Sequence, residues 1–121
     1  MSQSEDGRIY RRLVVELPAE VAGVEMVTAN LSMEGVQVAC PQLRYELNAE
    51  ALSIRPLPVT LRLGDGESAS VACGVKYTSA YDDDVLLGLR FGSASEDAVP
   101  EAITRFLSQR GGPGFIHPVG A

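Results

Sequence analysis

From residue 13 to residue 91 the chain alternates apolar and polar positions in short runs. Leu13, Val15 and Leu17 fall on one face of an extended segment, and Val36, Val38 and Cys40 do the same further on. The pattern returns as Val59, Leu61 and Leu63, then as Ala69, Val71, Cys73, Val75 and Tyr77, and finally as Val85, Leu87, Leu89 and Phe91. Period two with a single apolar face predicts half-buried antiparallel strands. Residues 25–29 are read as one further strand. Gly64-Asp65-Gly66 supplies a short hairpin turn, and residues 18–23, with Pro18 and Gly23 at their ends, are read as an interruption between the first strand and the next. Asp82-Asp83-Asp84 lies between two runs and is read as an acidic hairpin tip rather than a cation site.

After Phe91 the period changes. Val99, Ile103, Phe106 and Leu107 are spaced for one face of a helix, and Pro100 suits a first helical turn. The helix is expected to start at Asp97 or Pro100 and to stop near Gln109, before Gly111-Gly112. About six short strands with a single terminal helix exclude a parallel α/β sheet, which needs crossover helices. The expected architecture is an all-β, six-stranded antiparallel barrel, with the C-terminal helix covering one open end. The pattern assigns nothing to residues 44–55. Residues 1–7 are read as a disordered lead, 8–109 as the folded domain, and the Gly- and Pro-rich residues 110–121 as a flexible tail.

Composition fits this picture without narrowing the function. A chain of 121 residues, 45% hydrophobic and 21% charged, holds one domain with a core that needs no disulfide or metal. Cys40 and Cys73 have no second Cys or His at metal-ligand spacing and read as small core hydrophobes, so no metal site is expected. The polar, acidic start lacks the apolar stretch of a secretory signal, and no run approaches the roughly 20 apolar residues of a membrane helix. Cytoplasmic residence without membrane insertion is the expectation. A net charge of −6 opposes general binding to nucleic acid.

Charge does change the picture in one place. Nine of the ten basic residues are Arg, and Arg8, Arg11 and Arg12 fall within five positions immediately before the first alternating run. Guanidinium forks match phosphate oxygens and the O6/N7 edge of guanine, where a lysine is only a point charge. Eighteen residues after Arg12 comes Asn30-Leu31-Ser32-Met33-Glu34-Gly35. On an extended backbone Asn30 and Ser32 project to the same side, and Gly35 permits either a positive φ or a close backbone approach. An amide, a hydroxyl and several guanidinium groups suit a phosphorylated guanine. The same residues also fit blander roles: a solvated basic stretch facing the acidic N-terminus, and a turn whose side chains bond their own backbone. Tyr10 and Tyr81 read as packing residues at strand ends, and His117 has no triad-like partner.

Arg8-Ile9-Tyr10-Arg11-Arg12 followed by Asn30-Leu31-Ser32-Met33-Glu34-Gly35 resembles the paired signature of PilZ domains, Arg-x-x-x-Arg and then Asp/Asn-x-Ser-x-x-Gly. Leu87-Gly88-Leu89-Arg90-Phe91 is similar to that family's last strand, so the likeness extends over about residues 8–109. The resemblance implies a PilZ-like barrel that binds the second messenger cyclic di-GMP. By position it implies Arg8 and Arg12 on phosphates and guanine edges, Asn30 and Ser32 on a base, Gly35 for the backbone path, and Arg11 as an auxiliary contact. Asn30 stands where Asp is commoner, and Gly7 stands where many members carry another Arg; the latter implies one bound nucleotide rather than a stacked pair. No nucleophile–base pair or acid–base dyad is visible, so an enzyme is not expected and no cofactor is called for beyond the ligand. The implied function is a receptor whose arginine segment orders on binding and is read by an as yet unidentified effector protein. The alternative is a divergent PilZ-like interaction module that does not bind nucleotide.

Overall fold

The computed structural model describes residues 10–92 and 99–119. Its strands are β1 (Pro18–Val21), β2 (Val24–Leu31), β3 (Gly35–Pro41), β4 (Leu57–Gly64), β5 (Glu67–Tyr81) and β6 (Asp84–Phe91). They close into an antiparallel barrel in the order β1-β2-β3-β6-β5-β4. The alternating apolar sets fill its interior: Val36, Val38 and Cys40, Val59, Leu61 and Leu63, and Val85, Leu87, Leu89 and Phe91 are all buried. Burial also pushes the Cys73 thiol up to about 12 and raises that of Cys40, where desolvation outweighs the lowering influence of Arg44. Both cysteines pack as neutral core groups.

A short helix α1 (Gln42–Leu47) and a 3₁₀ turn (Ala51–Ser53) make up the connection that holds residues 44–55, which no periodicity assigned, and the turn inserts Leu52 into the core. Helix α2 (Glu101–Gly111) closes one end of the barrel with Ile103, Phe106 and Leu107. It is tied to the β4–β5 hairpin through Arg105 and Glu67, and to the β2–β3 turn where the Thr104 hydroxyl meets the Met33 sulfur at 3.7 Å. The helix runs on through Gly111, beyond the expected stop region, and Gly112 takes the positive φ of 101° that ends it. Beyond it, Pro113–Phe115 forms a 3₁₀ turn whose Phe115 is half-buried against the core.

Two differences from the sequence reading bear on the site. Residues 18–23 are not an interruption. Pro18–Val21 is a strand paired to both β2 and β4, with Ala19 and Val21 buried, and the turn is confined to Ala22 and Gly23, both at positive φ. Pro18 starts that strand, a place where its missing N–H is tolerated. The first alternating run, residues 13–17, is correspondingly not a regular strand. It continues alongside β2, but the stretch from Leu13 to Pro18 is one residue longer than the stretch from Val27 to Leu31 that it faces, so an ordinary ladder cannot form. The hydroxyl of Thr28 fills the gap. It accepts from the Leu17 N–H at 2.8 Å and donates to the Val15 carbonyl at 2.6 Å, while Leu13 and Leu31 exchange backbone bonds of 2.8 and 2.9 Å. The lead-in is thereby sewn to β2.

Candidate functional site

Two irregularities in the ladder create the site. In β2 the register shifts between Thr28 and Asn30, and in β5 it shifts between Val75 and Tyr77, so that Ala29 and Lys76 are the extra residues. Thr28 faces the core at 1% exposure, and unbroken alternation would send Asn30 inward as well. The bulge instead pairs Asn30 with Gln37 on the outer face and returns Leu31, opposite Val36, to the interior. The second bulge does the same for Tyr77. Sequence alternation put it on the face of Cys73 and Val75, whereas it lies 38% exposed on the outside, opposite Gly88.

A row therefore runs across four strands: Asn30 on β2, Gln37 on β3, Gly88 on β6 and Tyr77 on β5. The Tyr77 ring lies over Gly88, where an added Cβ would be 2.2 Å from the ring. Crossing that gap, the Tyr77 hydroxyl accepts from Gln37 Nε2 at 2.7 Å, and Gln37 Oε1 accepts from Asn30 Nδ2 at 3.0 Å.

The β2–β3 turn forms the adjoining wall. Ser32 N–H donates to the Gly35 carbonyl at 2.9 Å, and the Ser32 hydroxyl, buried in the turn, accepts from the Glu34 N–H at 3.0 Å. Of the two roles open to Gly35, the structure selects close approach, since a Cβ there would lie 1.9 Å from the backbone oxygen of Leu89. Next to this turn, the bridge from Leu13 to Leu31 delivers Arg12. The result is one surface pocket lined by Arg12, Asn30, Ser32, Glu34, Gly35 and Gln37, with Lys76, Tyr77 and Gly88 on its far side.

Four of the six residues singled out from sequence, Arg12, Asn30, Ser32 and Gly35, thus share one pocket. Arg8 lies outside the described residues. Arg11 is not among the lining residues; its guanidinium stacks on the Phe115 ring at 4.7 Å and joins the lead-in to the C-terminal 3₁₀ turn. The sequence reading missed Gln37, Lys76 and Tyr77. Alternation alone could flag Gln37 as an outward residue, but Lys76 and Tyr77 depend on a bulge that no local motif announces.

The site offers two cationic side chains, Arg12 and Lys76, a planar aromatic ring, and amide and hydroxyl groups on a shared surface. Such a set suits a phosphorylated ligand with a flat base. The acidic Asp82-Asp83 pair forms the exposed β5–β6 turn, and among the described residues no group of three or more His, Cys, Asp or Glu is placed to hold a metal ion. Among the same residues no helix is long and apolar enough to cross a membrane.

No family model matches the chain, and no curated protein matches it. Among solved structures it is similar to the Bacillus subtilis Inhibitor of motility (MotI/DgrA), with a TM-score of 0.56 and 15% sequence identity over 86% of this chain and 52% of that one. At that identity the likeness is one of fold. The chain spans about half the length of that protein, and the closed six-stranded barrel with its C-terminal helix fits a PilZ-like fold.

Proposed function

We propose that the chain is a cytoplasmic, non-enzymatic receptor for cyclic di-GMP that signals through a protein partner. One observation carries the reading: three segments distant in sequence, ending in Arg12, in the Asn30-to-Gly35 turn and in the Lys76–Tyr77 bulge, converge on one polar pocket. Arg12 would grip a phosphate or a guanine edge, Asn30 would meet the guanine, and the Ser32 hydroxyl, which keeps its own proton while accepting from Glu34, would donate to base or phosphate. Arg8 sits four positions before Arg12 and would add a second guanidinium. The name of the fold neighbour, an inhibitor of motility, is in keeping with a regulatory part. Ligand binding would favour the arrangement in which the arginine segment is held against the barrel, and the partner would read that surface.

Isothermal titration of the purified chain with cyclic di-GMP, GTP and cyclic di-AMP tests the proposal. Micromolar binding of cyclic di-GMP alone is expected. Arg12→Ala should weaken it at least about ten-fold, the worth of a charge-assisted hydrogen bond. The melting temperature of the free protein should change little, since Arg12 has no ion pair among the described residues. No heat above dilution at about 100 μM ligand would sink the receptor reading and favour the nucleotide-free interaction module.

A further inference from the structure

We propose that Gln37 and Tyr77 are positioning residues that hold the Asn30 amide with its oxygen toward the ligand, making a guanine-selective acceptor of an otherwise ambivalent side chain. The inference rests on the receptor reading above. A neutral amide offers an acceptor on one branch and donors on the other, and a half-turn of its plane exchanges them. Guanine presents N–H donors at N1 and N2, which need an acceptor; adenine presents an acceptor at N1. The face that Asn30 shows the pocket therefore selects between bases.

In the structure that face is set from behind. Asn30 Nδ2 donates to Gln37 Oε1, which leaves Oδ1 as the other branch of the amide on a residue lining the pocket. Gln37 is tied in turn to Tyr77, since its Nε2 donates to the Tyr77 hydroxyl. The three groups form one chain of bonds, so that turning Asn30 over requires the Gln37 amide and the Tyr77 hydroxyl proton to turn with it, and a lone turn of Asn30 breaks the chain. Tyr77 reaches Gln37 only across Gly88, whose missing Cβ makes room for the ring. Four strands thus contribute to the orientation of one amide, and the two bulges put its ends on the outer face.

The test is a set of variants of the full chain titrated with cyclic di-GMP and cyclic di-AMP. Gln37→Leu frees Asn30 to turn and should weaken cyclic di-GMP binding about three- to ten-fold, the scale of an ordering cost that the relay otherwise removes in advance. Tyr77→Phe, which keeps the ring and removes only the hydroxyl, should cost about two-fold, and Gly88→Ala should match it by displacing the ring. In an Asn30→Asp background the carboxylate accepts from either branch, so there Gln37→Leu and Tyr77→Phe should cost nothing. Equal losses in the wild-type and Asn30→Asp backgrounds would overturn the proposal, because Gln37 and Tyr77 would then act on the ligand or on folding. So would the absence of any loss in the wild-type background. A readout independent of ligand separates this from failure of the receptor reading: exchange of the Asn30 side-chain amide protons, followed by NMR in the free protein. Protected protons that Tyr77→Phe releases support the relay even if the wild type binds no nucleotide, and rapid exchange in the wild type overturns it.

Discussion

Replacing Gly35 with alanine tests whether the start of β3 is fixed by contact or by backbone torsion. Its φ lies outside the left-handed region, so the torsion itself suits alanine. The obstacle is the Leu89 backbone oxygen, 1.9 Å from where the Cβ would sit, with the Leu89 carbonyl carbon and Arg90 Cα at 3.0 and 3.1 Å. Relief requires β3 and β6 to part by about 1 Å, since real contacts of this kind stop near 3.0 Å. On either side of this point the turn is held by Ser32 N–H to Gly35 O at 2.9 Å and Phe91 N–H to Glu34 O at 3.0 Å. An opening of that size stretches one or both toward about 4 Å, beyond useful hydrogen-bond length. Overpacking costs about 1–3 kcal/mol and each lost bond about 1 kcal/mol, so Gly35→Ala should destabilise the protein by about 2–4 kcal/mol. For a domain of this size that is a fall in melting temperature of roughly 8–15 °C. Gly88→Ala is the control. Its Cβ would also intrude, 2.2 Å from Tyr77, but onto the far end of a partly exposed side chain that can swing away. Its cost should stay under about 1 kcal/mol. Denaturant melts of both variants decide the matter: a Gly35→Ala loss below about 0.5 kcal/mol, or equal losses in the two, would refute the contact argument.

Two further outcomes follow from the core. Thr28→Val keeps the shape of the side chain but strips the Leu17 N–H and Val15 carbonyl of their partner, so it should cost about 1–3 kcal/mol in a urea melt. It should also weaken ligand binding by loosening the tether of Arg12, with Thr28→Ser restoring both. For Cys73 the thiol is raised by burial from 9.0 to about 12 in the folded state, so the unfolded chain loses its proton first. Stability from this group is complete below about pH 9 and declines as pH rises from about 9 toward 12. The urea midpoint should therefore fall over that range more steeply in the wild type than in Cys73→Val, and thiol reagents at about pH 8 should label Cys73 only as fast as the protein opens.

The barrel was legible because four of its six strands, β3 to β6, carry one-sided alternation, and α2 because Val99, Ile103, Phe106 and Leu107 keep a helical period. What misled was punctuation. Pro18 and Gly23 read as the limits of a loop, yet Pro18 opens a strand and the turn needs only Ala22 and Gly23. Arg11 and Arg12 are adjacent and alike in chemistry, but extended backbone sends neighbours to opposite sides, one to Phe115 and one to the pocket. Spacing cannot distinguish them without knowing where the lead-in meets β2.

The candidate site was half legible for a reason that lies in the two bulges. Asn30-to-Gly35 stands out because its polar and glycine residues are contiguous, so a motif captures it. Tyr77 and Gln37 are forty positions apart, joined only by the register of β3, β6 and β5. Period-two reasoning assumes an unbroken ladder, and it assigned Tyr77 to the interior because it could not see Lys76 as an extra residue. Each bulge turns a residue that strict alternation would bury, Asn30 in one strand and Tyr77 in the other, onto the outer surface, and both arrive in the same transverse row. An unbroken ladder would turn both side chains toward the inner face of the barrel. The irregularities that defeat the sequence reading are the means by which a closed, fully packed barrel carries a polar site on its outside.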